Sequence, residues 1–203
     1  ATVFPVVPDR MTEGYGLSPA TLQRIRDGGA SLVVTVDCGV SCVPEVAALK
    51  REGRTVIVTD HHDAPPVLPE ADALVDPRLP GTDPRDAVLS GVGVAWLLGA
   101  GLLLLLGRDL APVMDLMDLA AVGTVADICP VSGLNRWILA MGLDRLARSP
   151  NPGLKALLQV ARGQPASADE TTLAFLLAPR LNAAGRIGDA TRALALLLTE
   201  DPS

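Results

Sequence analysis

Hydrophobic positions along the chain follow two regimes that change over near residue 90. In the first, short β-branched runs alternate with helical spacing. Ser31–Gly39 reads Ser-Leu-Val-Val-Thr-Val-Asp-Cys-Gly and Thr55–Val58 reads Thr-Val-Ile-Val, apolar runs of the kind expected for buried parallel strands. Between them, Pro44–Gly53 opens on a proline suited to a first helical turn. It carries Val46, Leu49 and Lys50 at helical spacing and stops at a glycine. An earlier helix starts at Ser18-Pro19, with the serine as N-cap, and ends at Gly28-Gly29. Thr2–Val7 is strand-like, with Pro5 tolerable only near an edge or irregularity. The first sixty residues thus predict three strands and two crossover helices, a doubly wound, mostly parallel α/β sheet.

Ala64–Asp86 carries six prolines and predicts an irregular loop, with Ala73–Val75 as a short further strand. Beyond Ser90 the spacing turns helical. The candidate helices are Val92–Leu106, Val113–Val122, Asn135–Arg148, Gly153–Ala161, Glu170–Leu177 and Ala190–Leu198. Gly107, Pro112, Pro130, Pro150, Pro152, Pro165 and Pro179 break the chain between them. No repeat or linker interrupts the pattern, so residues 1–203 read as one α/β domain with a helical second half. Val92–Leu106 includes five consecutive leucines but falls short of the ~20 residues that a membrane span takes. It reads as a buried helix, and no membrane partner is expected.

At 203 residues and 49% hydrophobic, the chain can bury a full core. Its net charge of −6 argues against a dedicated nucleic-acid-binding module, though not against a nuclease with a locally basic groove. Lys50 and Lys155 are the only lysines, so basic contacts fall to arginine, which suits planar phosphate recognition. Three cysteines without framework spacing predict a reduced, cytoplasmic protein.

The chemistry concentrates where the two strands end. Thr59 is followed at once by Asp60, His61, His62 and Asp63, and the chain has no other histidine. The preceding strand ends in Asp37. In open α/β sheets ligands sit outside the carboxyl ends of the strands, and a right-handed crossover sets Asp37 and His61 side by side there. Carboxylate and imidazole are the usual ligands of Mn, Fe or Zn, and a second carboxylate commonly orients a ligating histidine. Asp60 fits that orienting role, and Asp63 reads as solvated. A solvated turn with two surface histidines is the bland alternative. Cys38 and Cys42 raise a zinc alternative, against the commoner role of free cysteine as a small buried residue.

Asp-His-His after a hydrophobic strand, with Val-Asp-Cys-Gly one strand-helix-strand unit earlier, resembles the DHH phosphoesterase family. Three more stretches resemble its RecJ-type branch of single-strand-specific exonucleases. They are Pro8–Leu17 (Pro-Asp-Arg-Met-Thr-Glu-Gly-Tyr-Gly-Leu), Val122–Asp127 (Val-Gly-Thr-Val-Ala-Asp) and Ala178–Arg186 (Ala-Pro-Arg-Leu-Asn-Ala-Ala-Gly-Arg). The resemblance implies that Asp37 bridges two ions, since a centre with ions about 3.5–4 Å apart needs a shared ligand. It also implies that His61 and Asp127 are ligands, with His62 a ligand or a donor to the scissile phosphate. Gly123 would permit a tight turn before Asp127. Ser90, Gly91 and Gly93 open a helix whose free N–H groups could take a phosphate, or serve close packing. Arg180, Asn182 and Arg186 would form a phosphate clamp in a Gly- and Ala-rich loop.

The implied activity is Mn²⁺- or Mg²⁺-dependent 5′-to-3′ hydrolysis of phosphodiesters in single-stranded DNA, in repair and recombination. The alternatives are a small-substrate phosphoesterase acting on short oligonucleotides, cyclic dinucleotides or pyrophosphate, and a non-catalytic replication scaffold. The family's Asp-x-Asp-x-Asp-Gly motif and its C-terminal substrate-binding domain have no match in this sequence. The expectation is an incomplete catalytic domain that holds at most one ion tightly and is inactive alone. The family's Val-Asn-Pro is Val75-Asp76-Pro77 here.

Overall fold

A computed structural model describes residues 2–83, 85, 87–161, 167–187 and 190–201. Pro165 and Asp86 lie outside them. The Cα packing divides the chain into two units, residues 1–87 and 88–203.

The first unit is built on three parallel strands in the order β1-β2-β3. These are β1 (Leu32–Val36), β2 (Thr55–Thr59) and β3 (Ala73–Val75). The register pairs Val36 with Thr59 and Thr59 with Val75, so all three strands end level at one edge. Helix α1 (Pro19–Asp27) starts as its sequence predicts, with the Ser18 side chain accepting the Thr21 N–H. Helix α2 (Val43–Arg51) links β1 to β2. Leu22 and Ile25 of α1 and Val46 and Leu49 of α2 close over Val33, Val56 and Val58 in a single core. The alternate residues of β1 stay open: Leu32, Val34 and Val36 are each about half exposed among the described residues. An apolar run therefore does not guarantee burial on both faces. The other departure is at Thr2–Val7, which forms no strand, leaving two strands in the first sixty residues. Pro5 lacks the N–H that a ladder needs.

The second unit is helical. Its elements are α3 (Gly91–Leu105), α4 (Ala111–Met114), α5 (Met117–Ala126), α6 (Gly133–Leu146), α7 (Pro152–Val160), α8 (Glu170–Thr172), a π-helical turn (Leu173–Leu177), α9 (Ala178–Ile187) and α10 (Ala190–Leu198). Pairs at helical spacing meet in one core: Leu139 with Leu146, Leu154 with Leu158, Leu173 with Leu177. Burying each such side chain contributes about 1.5–3 kcal/mol. The helix expected over Val113–Val122 is two, because the chain breaks at Asp115-Leu116.

Gly123 also differs from expectation. It lies inside α5, and a Cβ there would come within 2.7 Å of Val92 Cγ1. It serves the approach of α3 rather than a turn. Gly142 of α6 is tighter still, since its Cβ would lie 2.4 Å from the Met117 carbonyl oxygen. The largest correction concerns Ala178–Arg186, which is helix, not loop. Pro179 accounts for what precedes it: in an α-helix its ring collides with the carbonyl four residues back, and the widened turn removes that overlap. Accordingly the Ala178 N–H reaches back five residues, to the Leu173 carbonyl. No described helix is long and apolar enough to cross a membrane.

Candidate metal centre

The level ends of β1 and β2 bring Asp37 against the Asp60-His61-His62 turn. Asp37 itself has φ 63, a left-handed backbone that Asp tolerates better than most residues. Two residues on, Gly39 has φ 114, and a Cβ there would sit 2.7 Å from Thr35 Oγ1. Only glycine lets the chain fold back over the strand end, and that fold brings the Val40 N–H to Asp60 Oδ2 at 2.9 Å.

Asp60 is 2% exposed and organises the turn. Its Oδ1 accepts the N–H groups of His61 (2.8 Å) and His62 (3.3 Å) and lies 2.6 Å from His62 Nδ1. Burial alone would raise its pKa. The hydrogen bonds from the His62 ring and from the Val40 and His61 N–H groups outweigh that and hold it below the usual carboxylate value. Asp60 is therefore an ionised anchor that points His62 Nδ1 inward and leaves the opposite ring nitrogen for other partners.

His61 is buried, and its Nε2 lies 2.9 Å from Asp37 Oδ1. The approach lacks hydrogen-bond geometry, and Asp37 Oδ1 is buried with no hydrogen-bond partner. Leaving a carboxylate oxygen in that state costs on the order of 1–3 kcal/mol or more. Donor atoms of Asp37, His61 and His62 all lie within 4.8 Å of one another, a set that a divalent cation can satisfy. Burial pushes the Cys38 thiol up to about 12, with Cys42, Asp60 and Asp37 adding, and burial also raises Cys42. Neither thiol joins the donor cluster, which leaves the zinc alternative without support. Asp63 is exposed and pairs with Arg78 at 2.9 Å, in keeping with a solvated role.

Two residues not singled out from the sequence border this cluster. Tyr15, the chain's single tyrosine, meets the His62 ring edge-on with centroids 5.4 Å apart. Asp76 is 5% exposed, and its Oδ2 lacks a hydrogen-bond partner. Burial raises its pKa, against the Arg78 N–H that lowers it. The unusual Val75-Asp76-Pro77 was the available signal for Asp76. For Tyr15 it was the glycine on either side.

The remaining candidates belong to the second unit. Asp127 follows the last turn of α5, with its N–H on the Gly123 carbonyl and its Oδ2 accepting the Cys129 thiol at 3.1 Å. Ile128 after it has φ 57. Ser90 caps α3, accepting the Gly93 N–H, and its hydroxyl meets Thr124 Oγ1 at 2.9 Å. Ser90, Gly91 and Gly93 are all buried, an arrangement suited to capping and close packing. Arg180, Asn182 and Arg186 are on α9, and Arg180 Nη1 donates to the Leu176 carbonyl. On a helix Asn182 and Arg186 share a face, while Arg180 stands about 120° from Arg186 and about 160° from Asn182. The two arginines therefore do not form one fork.

A parallel sheet carrying a carboxylate and paired histidines at its strand ends defines a class, and the family comparison agrees with it. The model of the DHH family, N-terminal domain, matches residues 1–124, and the chain belongs to that family. Among curated proteins it is similar to the single-stranded-DNA-specific exonuclease RecJ of Bacillus subtilis strain 168. The two are 44% identical over 195 residues, covering 96% of this chain and 24% of that protein. RecJ of Escherichia coli K12 is 40% identical over 206 residues, covering 97% and 36%. The chain thus spans about a quarter to a third of the length of these relatives. A crystal structure of exonuclease RecJ bound to manganese superposes with a TM-score of 0.87 at 38% identity, covering 98% of this chain and 49% of that one. RecJ of Thermus thermophilus in complex with Mn²⁺ gives 0.78 at 38% identity, covering 89% and 27%.

Proposed function

We propose that this chain is the metal-binding part of a single-strand-specific DNA exonuclease that works from the 5′ end with Mn²⁺ or Mg²⁺, in repair and recombination. The convergence of Asp37, His61 and His62 carries the reading. The names of the RecJ relatives and the manganese in the solved structures support it. Bound cations supply Lewis-acid polarisation of the phosphodiester and lower the pKa of the attacking water. Asp37, just past the end of β1 with Oδ1 beside His61 Nε2, is the residue that two ions would share. His61, held between Asp60 and Asp37, contributes a fixed ring nitrogen. His62, pinned by Asp60 through Nδ1, is placed either to ligate or to donate to the scissile phosphate. The ligand role of Asp127 rests on the Gly-Thr-Val-Ala-Asp motif. Arg180, Asn182 and Arg186 would contact the DNA backbone as separate points along α9. A cytoplasmic location follows from this reading.

The test is Mn²⁺-dependent release of nucleotides from long single strands by the full-length protein, with short oligonucleotides, cyclic dinucleotides and pyrophosphate as competing substrates. Asp37→Asn serves as the control that must abolish it. Preference for the long strand is the expected result. Preference for a small substrate replaces the exonuclease reading by a small-substrate phosphoesterase, and absence of all hydrolysis favours a scaffold.

A further inference from the structure

The Pro8–Leu17 loop enters none of the roles assigned above, yet side-chain hydrogen bonds tie it to α1. Glu13 is its anchor. Its carboxylate accepts the Asp9 N–H at 3.2 Å and the Ser18 hydroxyl at 3.0 Å. It also takes both prongs of the Arg24 guanidinium, at 2.8 and 2.7 Å. Immediately after it, Gly14 and Gly16 have φ 82 and 84, left-handed conformations that favour glycine. The two bends stand on either side of Tyr15 and project it from the loop.

Tyr15 is 58% exposed, so burial does not explain the effort spent on placing it. Its two ends do. The hydroxyl donates to the backbone carbonyl of Asp37, and the ring packs edge-on against His62. Asp37 needs such a restraint, because a left-handed non-glycine residue persists only where its surroundings fix it. Holding its carbonyl restrains the backbone torsions that aim the Cα–Cβ bond, and the carboxylate swings from that bond through χ1.

We infer that Tyr15 is a positioning residue of the metal centre, its hydroxyl locking the left-handed Asp37 and its ring backing His62. The inference rests on the proposed reading of Asp37 and His61 as metal ligands. Tyr15 touches no reacting atom in this role. It acts through the orientation of two donors that come from different strand ends.

The experiment is Mn²⁺ titration of the protein, followed by the resonance of free Mn²⁺, beside melting curves without metal. Tyr15→Phe keeps the ring and removes the hydroxyl, while Tyr15→Leu removes both contacts. The expected result is a loss of Mn²⁺ affinity of about tenfold for Tyr15→Phe, within the range seen for groups that orient a ligand. Its metal-free midpoint should match the parent. Tyr15→Leu should lose more, and only it should displace the His62 ring resonances. Asp37→Asn and His61→Ala are titrated alongside. If both lose binding while Tyr15→Phe binds as the parent does, the Tyr15 inference falls and the centre stands. If Asp37→Asn and His61→Ala also bind unchanged, the centre itself was misread. A Tyr15→Phe midpoint that falls in step with its affinity also overturns the inference, because it makes the hydroxyl merely structural.

Discussion

The two units use burial for different ends. Among the described residues, the first buries seven polar or charged side chains beside eight apolar ones, and the second buries five beside seventeen. In the first, buried polar groups meet at the strand ends, where Thr59, Asp60 and His61 are all nearly inaccessible. In the second they are scattered, as with Ser90 on Thr124 and Asp118 on Ser149, and the leucines dominate. A small sheet that spends its interior on polar contacts has less hydrophobic stabilisation to draw on. Its site depends on hydrogen bonds that hold each group in place. The helical unit draws its stability from packed volume.

The sharpest way to break that contrast is to change one residue of each kind. Asp37→Asn should lower Mn²⁺ affinity by at least about a hundredfold, more than loss of an outer partner costs. Asn tolerates the same left-handed backbone, so the metal-free melting midpoint should hold or rise. Titration and a melting curve check both halves, and a retained affinity would remove Asp37 from the centre. In the second unit, Leu158→Ala should cost about 2–5 kcal/mol in a denaturant melt, because Leu158 is 1% exposed inside the leucine core.

A finer comparison uses two glycines of the helical unit. Gly142→Ala forces a methyl group against the Met117 carbonyl and should destabilise by about 1–3 kcal/mol. The helix propensity gained, about 0.5–1 kcal/mol, is too small to offset it. Gly101→Ala on α3 meets nothing within 4 Å and should stabilise by that smaller amount. Opposite shifts in melting midpoint are the expected pair, and shifts of one sign would mean that packing does not set these positions.

The smallest effect is a pH response of the loop below Tyr15. The Arg24 guanidinium, with help from the Asp9 N–H, lowers the Glu13 carboxyl from its ordinary 4.5 to about 2. A depressed pKa stabilises the folded form above the unfolded value, and that contribution is lost as pH falls from 4.5 through about 2. Glu13→Gln should therefore lower the melting midpoint slightly at neutral pH, and the difference from the parent should vanish as pH falls through that window, leaving a flatter acid limb. The Arg24 side chain of the pair is exposed to solvent, so the shift in midpoint should shrink in high salt.

What the sequence made legible follows the same division. A strand run ending in Asp37, and another ending in Asp60-His61-His62, fixed a place as well as a type, because parallel strands linked by a right-handed crossover finish at one edge. Observed register and spacing agree with that expectation. Asp60 as the group that orients a histidine was legible for the same reason. Helices of the second unit were legible as helices, but their side-chain directions were not. Each residue turns the direction by about 100°, so reading Ala178–Arg186 as loop misplaced Arg180 relative to Arg186. Gly123 was misread because a glycine that admits a neighbouring helix and one that permits a turn look alike in sequence. Tyr15 escaped notice as a contact because its partner is a backbone carbonyl, which no residue type reports.

The wide turn at Leu173–Leu177 makes length, rather than composition, the sensitive variable of the C-terminal helices. It holds one residue more than an α-turn would, and Pro179 is the reason that residue is tolerated. Deleting exposed Phe175 should restore the ordinary ladder, rotate α9 by about 100° and shift it by about 1.5 Å, carrying Arg180, Asn182 and Arg186 to new bearings. The same deletion drives the proline ring into a carbonyl, so it should be poorly tolerated alone and better tolerated with Pro179→Ala. The extra residue and the proline thus form a matched pair, in which a one-residue deletion and a distant-looking substitution rescue each other.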